Sequence, residues 1–132
     1  MAEAAGQSGA VTGWARILLR LEGLALAGAA LALYRWTGGS WPMFAVLLLI
    51  PDLSMLGYLV SPRTGAVAYN TVHVTLGPAL LGALAAALRE PLFAQCTAIW
   101  LAHIGLDRAL GYGLKYPAGF GFTHLGRIGR AG

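Results

Sequence analysis

Apolar residues in this chain come in long blocks, and polar residues gather at the joints between them. Four blocks stand out, from about Ile17 to Tyr34, Met43 to Val60, Ala66 to Leu88 and Leu92 to Tyr112. Each is near the ~20 residues that a helix rising 1.5 Å per residue needs to cross about 30 Å of hydrocarbon. The joints carry helix breakers: Thr37-Gly38-Gly39-Ser40 with Pro42, then Ser61-Pro62-Arg63-Thr64-Gly65, then Arg89-Glu90-Pro91. Loops this short force antiparallel neighbours. The pattern therefore predicts one all-α domain, an integral membrane bundle of four transmembrane helices running up-down-up-down. A Gly-rich tail over 117–132 follows. Gly119, Gly121, Gly126 and Gly129 make it a poor helix, and Phe120 and Phe122 alternate so that both can dip into the membrane interface.

Composition sharpens this picture. Of 132 residues, 58% are hydrophobic and 11% charged, with a mean hydropathy of +0.67. A soluble domain carries about 25% charged residues, so this chain lacks the groups to solvate an ordinary surface. Nine Lys and Arg against five acids give a net charge of +4. There is no basic stretch with interleaved aromatics and no zinc knuckle, so nucleic acid is not expected as a partner and membrane lipid is. The basic residues instead read as a topology signal. Arg16, Arg20, Arg63, Lys115, Arg127 and Arg130 fall on one side, against Arg35 and Arg89 on the other, which puts both termini in the cytoplasm. Trp36 and Trp41 suit the outer interface, and Tyr112 and Tyr116 the inner one. The opening MAEAAGQSGAVTG lacks the basic start and immediate apolar core of a cleaved signal, so the first helix is expected to be retained. Cys96 is the single cysteine and reads as a packed thiol. Gly23, Ala27 and Ala30 share a face of the first helix, and Gly77 and Gly82 lie in the third. Such small residues allow close helix approach in lipid.

Against this background the candidate chemistry is conspicuous. Counting from the presumed cytoplasmic ends, Asp52, His73 and His103 lie about 12 to 14 Å into the membrane on three different helices. Asp107 follows His103 at i+4, on the same face. Ionisable groups in hydrocarbon persist mainly where they pair or bind something. Pro51 removes a backbone hydrogen bond just before Asp52 and invites a kink whose freed carbonyls can line a polar cavity, and Pro78 acts similarly near His73. Two imidazoles and two carboxylates suit a divalent first-row metal, zinc first, with manganese or iron as alternatives. Tyr69 and Asn70 flank His73 and are placed to orient a substrate. The same residues also suit a proton or ion relay, a pair of haem b axial ligands (His73 and His103), or a hydrogen-bonded network that only orients helices. Glu22 and Arg108 are expected to pair near the interface. His124 is either a fifth ligand folding back or a solvated tail residue.

The stretch HIGLDRALGYGLKYPAGFGFTH from His103 to His124, followed by LGRIGR, resembles the signature of a small bacterial membrane family, domain of unknown function 4260. IPDLSMLGYLVSPRTGAVAYNTVH resembles its second and third helices, so the likeness runs from about Trp36 onward. It implies a bacterial inner-membrane protein and names no reaction. More distantly, Pro51-Asp52, His73, His103 with Asp107, and Gly113 through Tyr116-Pro117 are similar in order to membrane-bound metal-dependent hydrolases. That likeness implies metal ligation by Asp52, His73, His103 and Asp107. It departs at one position: those enzymes carry two histidines five residues apart, and here Ala68 stands five before His73. The reading that follows is a metal-dependent hydrolase of a lipid-phase ester or phosphoester. Four short helices shield a site thinly, which leaves room for a homodimer.

Overall fold

The computed structural model describes residues 12–116 and 119–127. The polar N-terminal stretch, Pro117, Gly129 and Arg130 lie outside the described residues, as do the side chains of Tyr116, Phe120, Phe122 and Arg127. The chain folds as an all-α bundle of four spans. Helix α1 is Gly13–Thr37. The second span is α2, Trp41–Leu47, continued by a 3-10 helix, Ile50–Leu59. The third is α3, Pro62–His73, followed by α4, Leu76–Leu88. The fourth is α5, Pro91–Ala109. The first three spans are long and apolar enough to cross a membrane, and large apolar side chains such as Leu21, Leu24, Leu56 and Leu80 face outward.

Local sequence sets these boundaries. Ser40 and Ser61 cap α2 and α3 by accepting the N–H groups of Met43 and Thr64, and Pro42, Pro62 and Pro91 occupy first turns, where no N–H is missed. Gly38 closes α1 in a left-handed conformation at φ 75°. Arg20 donates from Nε to the carbonyl of Ala109, joining the start of α1 to the end of α5.

Helix α5 is the axis of the bundle, with Ala98, Ile99, Ala102, His103 and Ile104 all buried. Helix α1 packs on it through the small residues expected from the sequence. A Cβ on Gly105 would sit 2.6 Å from the backbone of Ala27 and Gly23, and one on Gly23 would meet Arg108 and Gly105. Trp100 fills the space left by Gly77, and Gly82 faces Thr97. Tyr34, Trp41 and Phe44 form an aromatic cluster at the far end, with ring centroids 5.0–5.4 Å apart.

Both expected kinks are full breaks. The N–H of Asp52 bonds Leu49 O at 3.2 Å, one residue short of the α-helical partner Leu48. Ten residues of 3-10 helix follow, well beyond the usual three or four. In the third span Val74 is extended (φ −89°, ψ 147°), and Pro78 lies in the first turn of α4 without an N–H to give back to Val74 O. The tail past α5 forms a small antiparallel sheet, β1 (Lys115–Tyr116), β2 (Gly119–Thr123) and β3 (Gly126–Arg127), in that order.

Candidate metal centre

The two breaks expose backbone carbonyls, and α5 supplies the side chains that take them. Leu48 O accepts from His103 Nδ1 at 2.6 Å. Val72 O, which an unbroken helix would give to Leu76, accepts from Trp100 Nε1 at 2.7 Å. His73 O faces Arg108 Nη2 at 3.5 Å. His73 Nδ1 bonds the carbonyl of Tyr69 at 2.8 Å. Buried carbonyls require such partners, so the break at Leu48 sets where the His103 imidazole points, while His73 is held by a carbonyl of its own helix.

A carbonyl only accepts. Each histidine therefore carries a proton on Nδ1 and turns Nε2 inward, the atom that ligates a metal when it is unprotonated. The two Nε2 atoms face each other at 3.1 Å. Asp52 Oδ1 lies 3.1 Å from His103 Nε2 and 3.7 Å from His73 Nε2. Asp107 Oδ2 lies 3.3 Å from both. One donor atom from each residue falls within 4.8 Å of all the others, so the four make one group suited to hold a metal ion. Both histidines are buried, while the side chain of Asp52 is 39% exposed. The three residues singled out by matched depth, and Asp107 by its i+4 spacing, thus converge on one point.

Tyr69 and Asn70 hold the surroundings. The Tyr69 ring stacks on His73 at 3.7 Å between centroids, and its hydroxyl donates to Asp107 Oδ2 at 3.2 Å. One residue therefore touches two candidate ligands, as outer partners of metal sites do. The Asn70 amide faces the tail: its Nδ2 donates to Lys115 O at 2.7 Å and its Oδ1 accepts the N–H of Lys115. Its position thus fixes β1 against α3.

Two tail residues gain a place here. Lys115, which sequence reasoning used only for topology, is 2% exposed, with its ammonium 4.6 Å from the Tyr69 ring centroid. Burial pulls its pKa down to about 8, opposed by the charge of Asp107. Its position beside Tyr116-Pro117 was the only hint available. His124 accepts the N–H of Leu114 on Nδ1 at 2.8 Å and gives its own N–H to Leu114 O. Burial, reinforced by Arg108, holds its imidazole below the ordinary value. Its Nδ1 is thus engaged with the tail. A small cavity of about 130 Å³ brings Glu22, Arg108 and His124 to common walls.

A family model described as Domain of unknown function (DUF4260) matches residues 16–128, extending the likeness into α1. No curated protein and no solved structure matches the chain.

Proposed function

The chain belongs to the DUF4260 family, and we propose that it is an intramembrane metalloprotein in which Asp52, His73, His103 and Asp107 hold one divalent ion. The carrying observation is the convergence of two Nε2 atoms 3.1 Å apart with carboxylate oxygens from Asp52 and Asp107. Four electron-rich atoms at this spacing repel one another unless a cation or protons lie among them. A four-coordinate ion with bonds of about 2.0–2.2 Å separates its ligand atoms by about 3.3–3.6 Å. Five of the six separations within the group span 3.1 to 3.7 Å, and all six lie within 4.8 Å. A porphyrin fits poorly, because carboxylate oxygens occupy the space where its plane would lie between the two imidazoles.

Zinc is the first choice for this donor set, followed by manganese or iron. A bound divalent ion would supply Lewis acidity and, where it takes a fifth ligand, a water that ionises near neutral pH. The reading extends to hydrolysis of an ester or phosphoester presented in the lipid phase. In it the protein's own residues do the positioning. Tyr69 holds Asp107 and the face of His73, the Leu48 and Tyr69 carbonyls fix both imidazoles, and half-exposed Asp52 marks the side from which substrate approaches. Both termini are assigned to the cytoplasm, with the site opening to that side.

The test is elemental analysis of detergent-purified protein together with its visible spectrum. One equivalent of zinc, manganese or iron without a Soret band is expected. Protein that stays metal-free after incubation with each ion would overturn the reading. It would favour a proton shared between the two Nε2 atoms, which their separation also permits.

A further inference from the structure

Beside the metal centre lies a second space, a cavity of about 480 Å³ between the 3-10 helix, the end of α3, α4 and α5. That volume is in the range of sites that take small molecules, about 300–1,000 Å³. Its walls include sequence neighbours of the four candidate ligands, though none of the four lines it. Pro51 and Leu53 flank Asp52, Val72 precedes His73, and Ile99 stands one turn before His103.

Its chemistry is one-sided. The hydroxyl of Ser54 is spent on Pro51 O at 2.8 Å and the indole N–H of Trp100 on Val72 O. The side chains therefore offer an occupant almost nothing but hydrocarbon. Water gains nothing in such a space, and apolar cavities stay dry. The rim includes Ile50 and Leu53, both outward-facing, so the cavity is continuous with the apolar surface that three membrane-length spans present to lipid.

We propose that this cavity is an acyl-chain slot: one fatty chain of a membrane lipid enters sideways from the bilayer, and its polar end lies at Asp52. The proposal rests on the lipid-phase reading of the metal centre and supplies its substrate class, an acyl lipid. The chain is held by shape and apolar contact alone, so the slot selects by chain length and bulk.

The test uses the full-length protein in phosphatidylglycerol vesicles doped with a phosphatidylglycerol that carries a diazirine on one acyl chain. After irradiation, adducts are mapped by peptide mass spectrometry. Adducts concentrated on Val72, Cys96 and Trp100 are expected. Leu81→Trp, which fills the slot, should lower them at least tenfold, whereas Leu24→Trp on the outer face of α1 should not. Cys96→Phe fills the same space if Leu81→Trp does not fold. Metal content is measured on the same samples. Adducts that persist in a metal-depleted His103→Ala protein support the slot independently of the metal. Normal metal with adducts spread evenly over exposed positions such as Leu21 and Leu24, unmoved by either filling variant, would mean ordinary surrounding lipid and overturn the proposal.

Discussion

Replacing His103 with alanine separates a metal site from a structural network by how the damage depends on zinc. The substitution removes two things. One is Nε2, a quarter of the donor set. The other is the Nδ1 proton bonded to Leu48 O at 2.6 Å in a residue only 5% exposed. Leaving that carbonyl unpaired costs about 1–3 kcal/mol whether or not metal is present. Zinc at a thousand times its dissociation constant adds about 4 kcal/mol to a protein that binds it only when folded. A three-donor variant whose affinity has fallen below the free zinc level gains almost none of this. The stability gap between wild type and variant should therefore be about 1–3 kcal/mol in chelator and roughly 5–7 kcal/mol in buffered zinc. Thermal or denaturant unfolding in detergent reads the gap, with metal content measured alongside. Asp107→Ala should behave alike, and Leu106→Ala should keep its metal. An equal gap in chelator and in zinc, with metal content unchanged in His103→Ala, would refute the metal assignment and favour the network.

Other outcomes follow from individual contacts. Gly105→Val should disrupt the pairing of α1 and α5, because its Cβ would sit 2.6 Å from the backbone of Ala27 and Gly23. Gly28→Ala, with nothing within 4 Å, should change detergent melting little. Asn70→Ala should release the tail, seen as faster hydrogen exchange at the Lys115 amide, while the helices remain. Lys115 has a folded pKa of about 8 against its ordinary 10.5, so the unfolded chain binds more protons in that interval. Stability should accordingly rise with pH from about 8 to 10.5, and Lys115→Met should flatten that rise. Cysteine labelling of Ser40→Cys on a Cys96→Ser background should find it reactive only from outside. Reaction from the cytoplasmic face alone would invert the orientation.

Much of the site is legible in the sequence because its signals are local. Pro51 next to Asp52, the i+4 spacing of His103 and Asp107, and small residues at Gly23, Ala27 and Ala30 each act within one helix. What stayed hidden depends on contacts between elements. That α5 would plug carbonyls freed at Leu48 and Val72 requires knowing which helix is central, and α5 is not among the three spans apolar and long enough to cross a membrane. The tail was legible as non-helical but not as a sheet, since β1 is two residues long and is tied down by Asn70, 45 residues away. The burial of Lys115 was invisible for the same reason. Its partner, Tyr69, lies on another span.

The division of the donors between two packing units also bears on how the protein is made. Asp52 and His73 belong to the 3-10 helix and α3, which pack on each other. His103 and Asp107 belong to α5, which packs with α1 and α4. Each half owns one imidazole and one carboxylate, too few to retain an ion against cellular competitors. During synthesis the first half is complete some thirty residues before His103 leaves the ribosome. On the proposed metal reading, an ion would be captured only once α5 has docked, which would make loading the closing step of assembly and a chemical mark of a finished bundle.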